Sequence, residues 1–227
     1  MQQTSGDKPP VRILLADDEA MIRSGVRAIL ARDPGIEVVA EAADGQTAVE
    51  LARRHRPDVA LLDIQMPRLD GLAAAEQIYR DRPEAAVIML TTFGEDEFIA
   101  RALQAGANGF LLKADDPREL LNGVQAVAAG GAYLSPNVAA RVISGLRTGR
   151  LATDAPRRDT LDRLTEREHD VLALLGAGLS NAEIGAKLYL VEGTVKAHVS
   201  AILSKLGVRN RVEAAIAAYE AGVVRRK

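Results

Sequence analysis

Five short apolar runs alternate with helical patterns through the first half of the chain, and that alternation leaves few folds open. The runs are Val11–Ala16, Ile36–Ala40, Asp58–Leu62, Ala85–Thr91 and Asn108–Leu112. Helical patterns follow them at Ala20–Arg32, Gln46–Arg54, Leu72–Arg80, Glu95–Gln104 and Pro117–Ala129. Continuous Val, Leu and Ile without polar alternation read as strands buried on both faces, as in a parallel sheet covered by helices. Five such units predict a doubly wound α/β sheet with right-handed crossovers.

The ends of the runs carry the chemistry. The first closes on Asp17-Asp18, the third on Asp63, the fourth on Thr91-Thr92 and the fifth on Lys113. A parallel sheet brings all of these to one edge, where open α/β sheets bind their ligands. Pro67 and the Asp70-Gly71 pair restrict the loop that follows Asp63. Three converging carboxylates repel one another unless a cation joins them. Mg²⁺ suits them, because it takes one or two carboxylates directly and keeps waters for other oxygens. A carboxylate can also attack phosphorus, forming an aspartyl phosphate. Lys113 could then neutralise phosphoryl oxygens while Thr91 donates a hydroxyl. Each residue alone has a plainer role: Asp17 and Asp18 as helix caps, Lys113 as a solvated strand end, Phe110 as a core aromatic. It is their joint order along the chain that singles out one site.

Composition narrows the partners. The 227 residues are 48% hydrophobic but only 3% aromatic, so Ala, Val, Leu and Ile must build the cores. There is no Cys, which removes disulfides and thiolate metal sites, and the three His lie far apart. No apolar run nears the ~20 residues of a membrane helix and no signal-peptide core opens the chain, so a cytoplasmic protein without membrane contact is expected. Residues 150–227 hold 13 Lys/Arg against 10 Asp/Glu, whereas residues 1–149 hold 16 against 21. The two halves therefore suit different partners.

The motifs D-D at 17–18, L-L-D-I-Q-M-P at 61–67, D-G at 70–71, T at 91 and L-L-K at 111–113 closely resemble the receiver domain of two-component response regulators. The resemblance covers about residues 11–130 and implies a flavodoxin-like (βα)5 sheet of order 2-1-3-4-5. It makes Asp63 the phosphoacceptor. Asp18, Asp63 and the Gln65 backbone carbonyl would hold Mg²⁺, with Asp17 acting through water. Thr91, Phe110 and Lys113 would be the switch residues. Ala114 departs from the pattern, since many receivers place Pro after the lysine.

Residues 1–10 read as a disordered lead-in. Between 131 and 160 the pattern is a short helix and a linker. Tyr133–Pro136 reads as a turn, and Ser135-Pro136 as a cap and first position for a helix over Asn137–Leu146. Residues 147–160 are polar, charged and without periodicity, as a solvated tether would be.

Residues 161–227 hold four short helical patterns. Thr165–Glu168, Ser180–Glu183 and Asn210–Glu213 all have capping-box spacing. In the third pattern Val195, Val199, Ile202 and Leu206 form one buried stripe. The opposite face, with Gly193, Lys196, Ala197, Ser200 and Ser204, is small enough to enter a major groove. The sequence L-T-E-R-E…L-S-N-A-E-I followed by T-V-K-x-H-V-x-x-I-L-x-K-L-G closely resembles the LuxR-type helix-turn-helix. That resemblance implies a four-helix domain with the helix-turn-helix over Ser180 to Val199. DNA contacts would come from Thr194, Lys196, Ala197, Ser200 and Lys205, with His198 read first as scaffold. The last helix would offer dimer contacts at Val212, Ala215 and Ile216. Two positions depart from the pattern: Val191 where a Ser or Thr usually caps, and Gly193 where Ala is frequent.

The two halves together resemble the NarL/FixJ subfamily of response regulators. The resemblance implies a transcriptional regulator rather than an enzyme. A histidine kinase would phosphorylate Asp63 with Mg²⁺, Phe110 would be buried in the active state, and homodimers would bind paired half-sites of double-stranded DNA. A phosphorylation-independent DNA-binding regulator is the alternative. A Mg²⁺-dependent aspartyl-phosphate hydrolase ranks lower, because Gln65 stands where its acid/base carboxylate would be.

Overall fold

A computed structural model describes residues 9–92, 96–147 and 158–223. Residues 1–8 of the expected lead-in and 148–157 of the expected tether lie outside them; of the rest of that tether, Arg147 ends one helix and residues 158–160 open another.

The first half alternates β1 (Val11–Ala16), α1 (Ala20–Leu30), β2 (Ile36–Ala42), α2 (Gly45–His55), β3 (Val59–Leu62), α3 (Gly71–Asp81), β4 (Ala86–Thr91), α4 (Asp96–Gln104), β5 (Gly109–Leu112) and α5 (Pro117–Ala128). The strands pair in parallel in the order β2-β1-β3-β4-β5, as expected. Val59, Ala60, Leu61 and Leu62 of the central strand are wholly buried, because helices cover both faces.

The sheet has one strand more than the sequence reading gave. Tyr133–Leu134, read as a turn, forms β6 and pairs in parallel with β5. Two residues carry too little periodicity to announce a strand. Tertiary contacts hold it: the Tyr133 hydroxyl donates to Glu119 of α5 at 2.7 Å. Burial and the neighbouring carboxylate push that phenol up to about 12. The next helix, α6 (Pro136–Arg147), begins on the Ser135 carbonyl, whereas the Ser135 hydroxyl finds no hydrogen-bond partner among the described residues. Val138 and Val142 of α6 enter the same core layer as Ile99 and Phe110, so this helix packs on the sheet domain.

The second half holds α7 (Arg158–Leu161), α8 (Glu166–Gly176), α9 (Asn181–Leu188), α10 (Glu192–Leu206) and α11 (Arg211–Glu220). Reciprocal capping boxes open α8 at Thr165 and α9 at Ser180. At α11 the box is offset. Asn210 accepts from the Glu213 N–H, while the Glu213 carboxylate takes the N–H of Arg209 instead. Val171, Leu172, Ile184, Val195, Ile202 and Ala214 form the sealed centre of this domain.

The two domains touch through α11. Val212 and Ile216 belong to the core cluster that includes Ile99 and Leu103 of α4 and Val138 of α6. Arg209 donates to the Gln104 carbonyl at 2.5 Å and Asn210 to the Leu103 carbonyl at 2.6 Å. Arg211, 5% exposed, donates to the carbonyls of Gly130 and Leu179 and to Asn181 at 2.7 Å. Among the described residues no carboxylate accepts from that guanidinium, and burial pulls it down to about 10, so it stays charged at neutral pH.

Candidate functional site

The carboxyl ends of β1, β3 and β5 converge as expected. Asp17 and Asp63 are buried, Asp18 is exposed, and one carboxylate oxygen from each lies within 4.8 Å of the others. Lys113 reaches across from the end of β5. Its ammonium lies 2.9 Å from Asp63 Oδ2, 2.8 Å from Asp17 Oδ2 and 3.6 Å from Glu19. Glu19 was not foreseen. Its side chain is mostly exposed and its backbone N–H donates to Asp17 Oδ1 at 2.9 Å.

The electrostatics follow from burial. Desolvation raises the Asp63 carboxyl above its usual range and Asp17 adds to the rise, although Lys113 and the Ile64 N–H oppose it. Burial alone would discharge Lys113. The carboxylates of Asp17 and Asp63 outweigh it, and the ammonium is held more firmly charged than usual. One lysine faces three aspartates, so the site holds excess negative charge. The Asp17 Oδ2 contact with Lys113 is an ion pair without hydrogen-bond alignment, which leaves a buried oxygen with lone-pair capacity. Oxygen-only donors, partly exposed and with charge to spare, fit a hard divalent cation such as Mg²⁺.

The loop after Asp63 is fixed by contact. Asp70 caps α3 by accepting from the Ala73 N–H at 2.7 Å. Gly71 donates to the Ile64 carbonyl at 2.9 Å, and a Cβ there would fall on the Asp63 carbonyl. This glycine serves close backbone approach. Arg68, at φ 65°, ties the loop to the buried carboxylate of Asp44, the cap of α2. Gln65 is exposed beside this site.

Thr91 ends β4 and is 2% exposed, and its carbonyl accepts from the Lys113 N–H at 2.7 Å. Phe110 is 1% exposed, already inside the core. Its burial therefore cannot by itself distinguish two states of this chain.

In the second domain the structure separates the expected contacts. Gly193, Lys196, Ala197, Ser200 and Ser204 are all exposed on one face of α10, with Thr194 half-buried on the flank. Lys196 pairs loosely with Glu192 at 3.5 Å. Lys205 has a different job: it holds Glu168, the capping-box carboxylate of α8, at 2.6 and 2.8 Å. His198 is half-buried beside the stripe of Val195, Ile202 and Leu206. Val212 and Ile216 are buried against the first domain, while Ala215 packs on the second domain's own core. The fixing roles of Arg209, Asn210 and Arg211 were not foreseen, since no local pattern signals a cross-domain hydrogen bond.

Comparison with known proteins agrees with this division. Residues 13–125 match the response regulator receiver domain, and residues 162–218 match the bacterial regulatory proteins of the luxR family. Two such domains define a DNA-binding transcriptional regulator of a two-component system. The chain belongs to the NarL family of response regulators, with the receiver first and the LuxR-type domain second. It is 38% identical over 227 residues to the transcriptional regulatory protein DegU of Brevibacillus brevis, covering 95% of each chain. It is 40% identical over 216 residues to the transcriptional regulatory protein LnrK of Bacillus subtilis, covering 94% of this chain and 98% of that one. Among solved structures, it is similar to the response regulator ChrA of a heme-sensing two-component system (36% identity, TM-score 0.52, 96% of this chain and all of that one). A LuxR-family response regulator from Aurantimonas sp. matches at 34% identity and TM-score 0.59, over 61% of this chain and 99% of that one. Among the described residues, no helix is long and apolar enough to cross a membrane.

Proposed function

We propose that Asp63 is the phosphoacceptor and that its phosphorylation releases α11 from the receiver. The carrying observation is that α11 is covered while the outer face of α10 is open. In the docked state the chain can present its recognition helix, yet it cannot use Val212 and Ile216 to meet a second copy. Activation thus acts on self-association, and DNA affinity rises because two half-sites are then read together.

The residues support each step. A histidine kinase presents a phosphorylated imidazole at the exposed edge; its N–P bond breaks as Asp63 oxygen bonds phosphorus. Bound Mg²⁺ would supply positive charge to the phosphoryl oxygens, held by Asp18, Asp63 and the Gln65 carbonyl, with Asp17 behind water. Lys113, already 2.9 Å from Asp63, neutralises the remaining charge. Thr91 turns its hydroxyl toward the new group, and its displacement passes to α4, which begins just beyond β4. The end of α4 carries the Leu103 and Gln104 carbonyls that hold Asn210 and Arg209. Inverting the balance from 1:99 to 99:1 needs about 5.5 kcal/mol of differential stabilisation. A doubly charged group with a metal can provide it.

The test is light scattering and promoter-fragment affinity with and without beryllofluoride plus Mg²⁺, for wild type and Asp63→Ala. Wild type should dimerise and bind tightly while the variant ignores the additive. Equal binding by both proteins, without response, would favour the phosphorylation-independent regulator.

A further inference from the structure

Two of the most exposed bulky apolar side chains stand together beside the recognition helix. Tyr189 is 95% exposed and Val191 is 74% exposed. They form the turn between α9 and α10, and both are unfavourable for folding alone. Tyr189 closes α9 at φ 56°, a left-handed conformation that suits glycine far better than an aromatic. Val191 sits at the cap of α10, where its side chain cannot accept an N–H and none is accepted. Burial compensates neither. Local choices that contradict the fold are expected where function requires them.

The turn adjoins the exposed face of α10 at its N-terminal end, the end that reaches base edges in a helix-turn-helix. The apolar group on the floor of the major groove is the thymine C5-methyl. The charged group on its wall is phosphate, which accepts hydrogen bonds from Tyr hydroxyls. An isopropyl and a phenol therefore match what lies beside that helix end in a duplex.

We propose that Tyr189 and Val191 form a second DNA-reading element of this chain, Val191 packing on a thymine methyl and Tyr189 donating its hydroxyl to the adjacent phosphate. The proposal rests on α10 being the recognition helix. It predicts that dependence on one thymine methyl per half-site is lost when Val191 is changed, whatever Ala197 and Thr194 read elsewhere.

The experiment begins with a duplex selected from a random library by the full chain with beryllofluoride and Mg²⁺. Each thymine is then replaced in turn by deoxyuridine, which deletes only the methyl. Wild type should lose roughly three- to fivefold in affinity at one thymine per half-site, the worth of one buried methyl. Val191→Ser restores a capping oxygen, so it keeps the helix, and it should bind both duplexes equally. Tyr189→Phe should weaken every duplex alike. A wild type indifferent to every methyl, or a serine variant as methyl-sensitive as wild type, overturns the proposal. So does a serine variant that changes dimerisation and not base preference, because the turn would then face a second copy. Lys196→Ala separates this failure from a deeper one. If it binds all duplexes like wild type, α10 is not the reading helix and both readings fall.

Discussion

Asn210 uses its two side-chain atoms for two domains: Oδ1 accepts from the Glu213 N–H at 2.9 Å to start α11, and Nδ2 donates to the Leu103 carbonyl of the receiver at 2.6 Å. The side chain is 1% exposed, so water cannot replace either bond. Asn210→Asp keeps the cap and sets a carboxylate against a carbonyl. It should undock the domains without melting α11. Small-angle scattering should show an expanded chain, and self-association should occur without beryllofluoride. Asn210→Ala should also undock, at a further loss of about 1 kcal/mol from the missing cap. A compact Asn210→Asp would count against the contact as a latch.

Mg²⁺ should stabilise the chain by relieving the carboxylate excess around Lys113. At ten times its dissociation constant the ion adds about 1.4 kcal/mol. Melting should rise by about 3–5 °C for a chain of this size and fall back with EDTA. Asp18→Asn and Asp63→Asn should each remove the response.

Gly71→Ala should disturb the phosphoacceptor itself. Its methyl would collide with the Asp63 carbonyl, which neither helix nor strand can easily yield. A loss of about 1–3 kcal/mol is expected in urea unfolding. The beryllofluoride response should weaken even where the receiver remains folded.

The Glu168–Lys205 pair sets an acid limit on the second domain. Lys205, with the Thr165 N–H and hydroxyl, holds the Glu168 carboxyl below its ordinary 4.5. The folded value lies beneath the unfolded one, so the contribution is complete above about 4.5 and fades as pH falls through the folded value. Calorimetry of the full chain should show this acid limb for the second transition. Glu168→Gln should flatten it and lower stability at neutral pH by about 1–2 kcal/mol.

The fold is legible in the sequence where period and chemistry coincide. Buried strands such as Val59–Leu62 leave a continuous apolar mark, and the carboxylates at their ends can only converge once the sheet is parallel. Capping boxes at Thr165 and Ser180 were legible because cap and partner lie three residues apart. What escaped notice was long-range. Tyr133–Leu134 is a strand only because β5 offers it an edge. Asp70-Gly71 looked like a turn, yet Gly71 is required by a backbone from another element. Lys205 suggested a DNA contact from its place on α10, and only the packing of α8 shows its ammonium already held. The family resemblance assigns Val212 and Ile216 to a dimer contact, but nothing local says that the receiver covers them.

That covering has a consequence for how the protein responds to its own abundance. The receiver that occupies Val212 and Ile216 belongs to the same chain, and contact within one chain acts at an effective concentration of about a millimolar. On the proposed use of α11 in self-association, a separate molecule at micromolar level would compete for the same stripe at a disadvantage of about a thousandfold. Making more of this protein should then not open it. On that reading a change at the contact itself, such as phosphorylation relayed through α4, shifts the contest, and the chain should answer to its chemical state and not to its dosage.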